Sequence, residues 1–165
     1  MNPKSVTFSL LDKGDECLIR DCAMLMSSSE PWITLRRRYD EVVDIIKDET
    51  SEVHIALGSG KMIGFAIIRM RGAFVGYVQS IVIKPRFRNL GIGQDFMEHL
   101  EARIFAEHPN VFICVSSFNM AARNLYERSG YEVIGELKDY IVRGHSEILL
   151  RKTRAPLSDY RKIET

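Results

Sequence analysis

The spacing of apolar positions changes period several times along the chain, and each change predicts an element. Ser5 to Leu11 alternates and carries β-branched and aromatic residues, which predicts a strand ended by the turn Asp12-Lys13-Gly14-Asp15. Leu18, Ile19, Cys22, Leu25 and Met26 then fall at helical spacing, and Tyr39 to Lys47 repeats the pattern with Val42, Val43, Ile45 and Ile46. Glu52 to Leu57, Met62 to Met70 and Phe74 to Ile83 are β-rich runs separated by Gly58-Ser59-Gly60 and by Arg71-Gly72, a meander of three antiparallel strands. After Gly93 the period returns to helical, with Phe96, Met97, Leu100, Ile104 and Phe105 on one face until Pro109 forbids continuation. Val111 to Val115 is short and apolar, as a buried strand is, and Asn119 to Arg128 reads as a helix stopped by Gly130. Strands at Tyr131 to Leu137 and near Glu147 to Arg151 complete the count.

Hairpins mixed with strand-helix-strand crossovers predict an α+β fold with a mixed sheet and helices on both faces, rather than a doubly wound parallel sheet. No repeat, low-complexity tract or linker divides the 165 residues, so one domain is expected over 1–152, followed by a polar tail over 153–165.

Composition narrows the function. Lys and Arg number 23 against 22 Asp and Glu, so the net charge of +1 exerts no overall pull on nucleic acid or an anionic membrane, and neither is expected as a partner. No apolar run reaches the ~18–20 residues of a membrane helix, and Met1 to Phe8 does not read as a signal peptide; the expected compartment is the cytoplasm. Cys17, Cys22 and Cys114 fit neither a disulfide framework nor a metal knuckle, and His54, His99, His108 and His145 are scattered, so no metal is expected.

The chemistry concentrates in Ile81-Val82-Ile83-Lys84-Pro85-Arg86-Phe87-Arg88-Asn89-Leu90-Gly91-Ile92-Gly93-Gln94, where a strand gives way to a helix. N–H groups at a helix start lack intrahelical partners and lie at the positive end of its dipole, so a glycine turn there can wrap a phosphate. Gly91 and Gly93 clear the approach, and Arg86 and Arg88 add positive charge. There is no Gly-x-x-x-x-Gly-Lys-Ser/Thr, and no third glycine at Phe96, so neither a nucleotide-hydrolysing loop nor a dinucleotide fingerprint fits.

The segment resembles the central motif of the GNAT acetyltransferases, Arg/Gln-x-x-Gly-x-Gly/Ala after a strand, with Arg88, Gly91 and Gly93 in its places. Ser117 to Tyr131 resembles a second signature of that family, Asn-x-x-Ala-x-x-x-Tyr-x-x-x-Gly-Phe/Tyr. The resemblance covers roughly Glu52 to Tyr131, and the two ends of the chain less closely. The resemblance implies a mostly antiparallel sheet of six to seven strands with about four helices, and acetyl-CoA as the donor, with no metal. It implies cofactor contacts from Ile81, Val82, Ile83, Arg88, Asn89, Leu90, Gly91, Ile92, Gly93, Gln94, Asn119 and Tyr126. Asn119 would cap its helix beside the pantetheine, and Tyr126, about two turns on and on the same face, would stand near the acetyl sulfur. Tyr126 is then the candidate general acid for the leaving thiolate, against the alternative of a core tyrosine.

The implied reaction is direct attack by a primary amine on the thioester, which needs a neutral amine and a donor for the oxyanion. Strand Ile81 to Ile83, splayed from Val111 to Val115 as in relatives, would leave amides free for this. The base is where the chain departs from the family: the subgroup acting on protein N-termini often has a glutamate where Cys114 stands. Cys114 is read as a small buried hydrophobe, with an acetyl-carrying nucleophile as the alternative. Glu30, Tyr77 and Gln79 are the other base candidates, and Glu30, Trp32, Gln79 and Tyr140 are candidates for the acceptor side, Glu30-Pro31-Trp32 resembling a Pro-Trp element of relatives. Arg36-Arg37-Arg38 is either a solvated helix start or a run that attracts an acidic acceptor or reaches a CoA phosphate. The acceptor is a small amine or a protein N-terminus or lysine; a CoA-binding module without turnover is the alternative, and a homodimer stays open.

Overall fold

A computed structural model describes residues 6–160. In chain order the elements are β1 (Val6–Leu10), α1 (Glu16–Ser27), α2 (Tyr39–Lys47), β2 (Ser51–Gly58), β3 (Lys61–Arg69), β4 (Tyr77–Ile83), α3 (Ile92–Phe105), β5 (Asn110–Ser116), α4 (Met120–Arg128), β6 (Glu132–Leu137) and β7 (Glu147–Thr153). Ser5, expected to open the first strand, and residues 161–165 of the expected tail lie outside the described residues.

Local chemistry sets most of these bounds. The Asp15 carboxylate accepts the Leu18 N–H at 2.9 Å and Glu16 stands in the first turn, so α1 starts with its orphan donors and dipole both answered. Gly130, at φ +88°, lets the chain turn out of α4 through the left-handed region. The meander's third strand begins at Tyr77, not at Phe74 as the run of apolar residues suggests. Gly72 and Gly76 both have positive φ, the turn between them is longer than a hairpin, and Phe74 stays exposed with its ring edge on Phe112.

The seven strands form one sheet in the order β1-β2-β3-β4-β5-β7-β6, antiparallel throughout except for β4 beside β5. Alternation along the strands sends side chains into two cores. Phe96, Met97, Leu100 and Ile104 of α3 and Tyr126 of α4 pack on one face with Val78, Ile113, Val115 and Leu150. Ile19, Cys22 and Met26 of α1 and Val42 and Ile46 of α2 cover the other, against Ile55, Phe65, Ile67 and Val82. Each fully buried aliphatic or aromatic side chain stabilises this arrangement by about 1.5–3 kcal/mol.

Of the stretch expected as a polar tail, Thr153 closes β7 and the following residues fold back on the α3–β5 corner. The Arg154 amide donates to Pro109 O at 2.9 Å, its guanidinium lies 4.0 Å from the Phe105 ring centre, and the Tyr160 hydroxyl donates to Phe105 O. Among the described residues no helix is long and apolar enough to cross a membrane.

Candidate active site

The site is made by two strands that part. β4 and β5 pair only at Tyr77 with Phe112 and Val78 with Ile113. Beyond that, β4 carries a bulge: Ile67 faces Ser80 and Ile68 faces Val78, leaving Gln79 as the extra residue. The extra residue reverses the alternation, so Val78 and Ile81 reach the α3 side while Val82 reaches the α1 side. The divergence opens a cleft of about 1340 Å³ that passes between residues of both faces.

Ile81, Val82 and Ile83 line this cleft while β3 holds their other edge, at Ala66, Phe65 and Gly64 respectively. The edge turned toward β5 has no strand partner there, which leaves backbone polar groups facing the opening.

The turn that follows ends in a cradle of backbone N–H groups at the start of α3. Pro85–Phe87 forms a single 3₁₀ turn, and Arg88 Nε donates to Ile83 O at 2.9 Å, tying the loop to the strand end. Gly91, at φ +82°, caps α3, and its carbonyl accepts from the N–H groups of Gln94 and Asp95 at 2.9 and 3.1 Å. The N–H groups of Asn89 through Gly93 enter none of the turn's backbone hydrogen bonds. A Cβ on Gly91 would meet nothing within 4 Å, so its glycine answers the left-handed backbone and not a lack of space. Arg88, Asn89, Gly91, Gly93 and Gln94 line the cleft. Leu90 instead points to solvent and Ile92 is buried in the α3 core, so those two offer the cradle only backbone. Arg86 lies on the Phe87 ring at 4.8 Å and is not among the lining residues. A row of unpaired N–H groups at a helix start beside a guanidinium fits a pyrophosphate.

Across the opening, Asn119 caps α4, its side-chain oxygen accepting the Ala122 N–H at 3.3 Å, and both Asn119 and Tyr126 line the cleft. Tyr126 is only 5% exposed and sits beside Tyr131, ring centres 5.9 Å apart. Among the described residues its hydroxyl takes part in no protein hydrogen bond, and burial pushes its pKa above the ordinary tyrosine value. It is both a core ring and a cleft hydroxyl.

The sequence's acceptor-side candidates come together on the same cleft. Glu30 accepts the Thr34 N–H at 3.2 Å, Trp32 is half-buried against the α1–α2 core, and Tyr140 is exposed at the mouth. The bulged Gln79 lines the cleft with its amide oxygen held by Arg69 Nε at 2.8 Å, which makes it a wall and not a base. Cys114 is half-buried and lines the cleft beside Tyr77, where the expectation was a small buried hydrophobe; it stands just past the last pair of β4 with β5, so no β4 residue pairs with it. Burial raises the Cys114 thiol, and raises the Tyr77 phenol as well, so both stay protonated near neutral pH. Arg37 and Arg38 pair with Glu41 at 3.8 and 3.4 Å at the start of α2. Arg36, Arg37 and Arg143 also line an adjoining cavity of about 490 Å³ that shares Leu35, Arg37 and Ile141 with the cleft.

Among the cleft residues that the sequence did not single out, one carries an ionisable group in the interior. Glu147, the first residue of β7, is 4% exposed, lines the cleft, and accepts the Ser116 hydroxyl at 2.7 Å. The signal available was parity: an acid two residues ahead of Leu149, on the face opposite buried Ile148 and Leu150.

The family model of the acetyltransferase (GNAT) family matches residues 19–131. Mycothiol acetyltransferase from Mycolicibacterium smegmatis is 28% identical over 79 residues, a match covering 46% of this chain and 27% of that relative, so the chain spans about a quarter of that relative's length. An aminoglycoside 6'-N-acetyltransferase complexed with coenzyme A superposes with a TM-score of 0.74 at 14% identity, over 91% of this chain and 98% of the other. The ribosomal-protein-S18-alanine N-acetyltransferase from Escherichia coli gives 0.70 at 20% identity, over 92% and 96%. The seven-stranded split sheet, the cradle at the start of α3 and the match over residues 19–131 place the chain in the GNAT family of acetyltransferases.

Proposed function

We propose that the protein transfers the acetyl group of acetyl-CoA to a primary amine by direct attack, with Tyr126 donating a proton to the departing thiolate. The observation that carries this is the parting of β4 and β5, which gives one cleft walls from both faces of the sheet. From the α3–α4 side come the cradle, Asn119 and Tyr126; from the α1–α2 side come Trp32, Tyr77 and Cys114, with Tyr140 at the mouth. A donor held along one face therefore presents its thioester to an acceptor arriving from the other.

Each residue has a share in this reading. Arg88 and the N–H groups of the turn over 89–93 bind the pyrophosphate, and the free edge at Ile81 to Ile83 holds the pantetheine and steadies the carbonyl oxygen. Tyr126, kept protonated by burial, is suited to give a proton and unsuited to take one. The neutral Cys114 thiol favours direct attack over an acetyl-cysteine. The acceptor is a small-molecule amine or a protein N-terminus or lysine; the fold neighbours include both kinds of enzyme. Three cysteines without a disulfide agree with action in the cytoplasm.

The test is thiol release from acetyl-CoA across a panel of aminoglycosides, polyamines and peptides with free N-termini. Release that depends on one amine class is the expected result. Tight CoA binding with no release from any of them would make the protein a CoA-binding module instead.

A further inference from the structure

Glu147 is a carboxylate in a place that costs stability. It is 4% exposed, and among the described residues no Lys or Arg forms a salt bridge with it. Among the described residues its only side-chain hydrogen bond is the one Oε1 accepts from Ser116. The second oxygen, Oε2, is not among the buried atoms lacking a partner, and the residue lines the cleft, so the carboxylate borders the opening. Burying an ionisable group without a counter-charge is unfavourable, and such groups concentrate where a ligand supplies the missing partner. Groups gather around Glu147 from each neighbouring element: Tyr77 from β4, Cys114 and Ser116 from β5, and His145 from the loop ahead of β7, while Leu137 of β6 stands opposite it. Of these only His145 can be cationic.

Register places this acid at the point where β4 and β5 part. Ser116 pairs with Glu147 across β5 and β7, and Cys114 pairs with Leu149, so Cys114, Ser116 and Glu147 share one face of the sheet at the point where β4 has parted from β5. β5 offers only a thiol and a hydroxyl there, and the carboxylate comes from the next strand.

We infer that Glu147 binds the acceptor's ammonium group and takes its proton, which makes the acceptor a primary amine that arrives charged. This deepens the acetyl-transfer reading above and rests on it. One N–H bond breaks and its proton passes to Glu147 Oε2. The freed lone pair forms the C–N bond at the thioester carbonyl as the C–S bond breaks, and the electron pair leaves on sulfur. The nitrogen gives up a second proton as the amide forms. Of the two protons, one ends on the thiolate and one in solvent.

Burial raises the Glu147 carboxyl above the ordinary glutamate range, with Ser116 and His145 opposing that shift, which moves it toward the pH where a base is both deprotonated and effective. A folded-state pKa above the unfolded one means that this group contributes stability at low pH and loses it as pH rises through its folded pKa. The isosteric Glu147→Gln keeps an oxygen for the Ser116 hydroxyl and removes the uncompensated charge.

The experiment compares wild type and Glu147→Gln on whichever amine of the panel the wild type acetylates. Expected for Glu147→Gln are a melting temperature at neutral pH equal to or above the parent's, CoA affinity within about twofold by calorimetry, kcat/KM lower by about 10²–10⁴-fold, and loss of the acidic limb of the pH–rate profile. A purely structural carboxylate gives the opposite pattern, a lower melting temperature with little change in kcat/KM, and overturns the assignment. So does a Gln variant that retains kcat/KM and the acidic limb while the wild type turns over. A wild type that binds CoA and acetylates no amine overturns the acetyl-transfer reading, and the role of Glu147 with it.

Discussion

Replacing Tyr126 by Phe removes one oxygen from a ring that the structure holds almost completely buried beside Tyr131. Because the hydroxyl makes no protein hydrogen bond among the described residues, the variant forfeits none, and its stability should stay within about 0.5 kcal/mol of the parent. The ring still packs in the same core cluster as the α3 side chains, so CoA affinity should survive. If the phenol protonates the leaving thiolate, turnover should fall by about 10²–10⁴-fold, equivalent to roughly 3–5 kcal/mol of transition-state stabilisation. The loss should appear equally in kcat and kcat/KM, since the interaction exists only in the transition state. Burial holds the pKa above the ordinary tyrosine value, so the defect should be constant between about pH 6 and 9. Steady-state thiol release, a thermal melt and calorimetry with CoA on the one variant read all of this. A stable Tyr126→Phe protein with undiminished kcat on its acceptor removes the residue from the mechanism; a melt lowered by more than about 1 kcal/mol with unchanged turnover makes it a packing residue.

Gly91→Ala should cost about 1–2 kcal/mol through its left-handed backbone alone, while Gly91→Asp adds a negative charge beside the cradle; unchanged CoA affinity in a folded Gly91→Asp protein would locate the pyrophosphate elsewhere. Cys114→Ala should keep most activity, and trapping an acetylated Cys114 by mass spectrometry would overturn direct attack. Acetyl-CoA should protect Cys114 from maleimide; exposed Cys17 should react first, and Cys22, buried with its pKa pushed up to about 12, should react last. His54 Nδ1 and His99 Nε2 lie 3.0 Å apart, and burial first, then the neighbouring ring, pulls His54 down to about 4 against the opposing charge of Glu52 at 3.7 Å. Since the unfolded His54 protonates near 6.5, stability is whole above that pH and should fall by on the order of 3 kcal/mol as pH drops toward 4. Thermal melts from pH 7.5 to 4.5 check this, and an identical slope in His54→Gln would assign the acid sensitivity to other groups.

Features that short-range chemistry decides were legible in the sequence. The helix starts at Asp15 and Asn119, the stop at Gly130 and the cradle at Gly91 depend on a few consecutive residues, so the sequence placed them within a residue or two of where they stand. The order of strands and helices followed from changes of period, and the two family signatures named the donor. The start of β4 was misread because Phe74 looks like a strand residue, while two positive-φ glycines decide otherwise. Tertiary structure alone decided the rest. Gln79 is a bulge only because of how β3 pairs with β4, and that bulge reverses which side chains face which core. Cys114 opens on the cleft, not into the interior, because β4 leaves β5 after Val78. Glu147 reaches Ser116 because β7 inserts between β5 and β6, joining residues 31 apart in sequence. A strand's periodicity tells which of its residues share a face, but its neighbours and register are fixed by long-range pairing, and those bring the proposed base to the reacting centre.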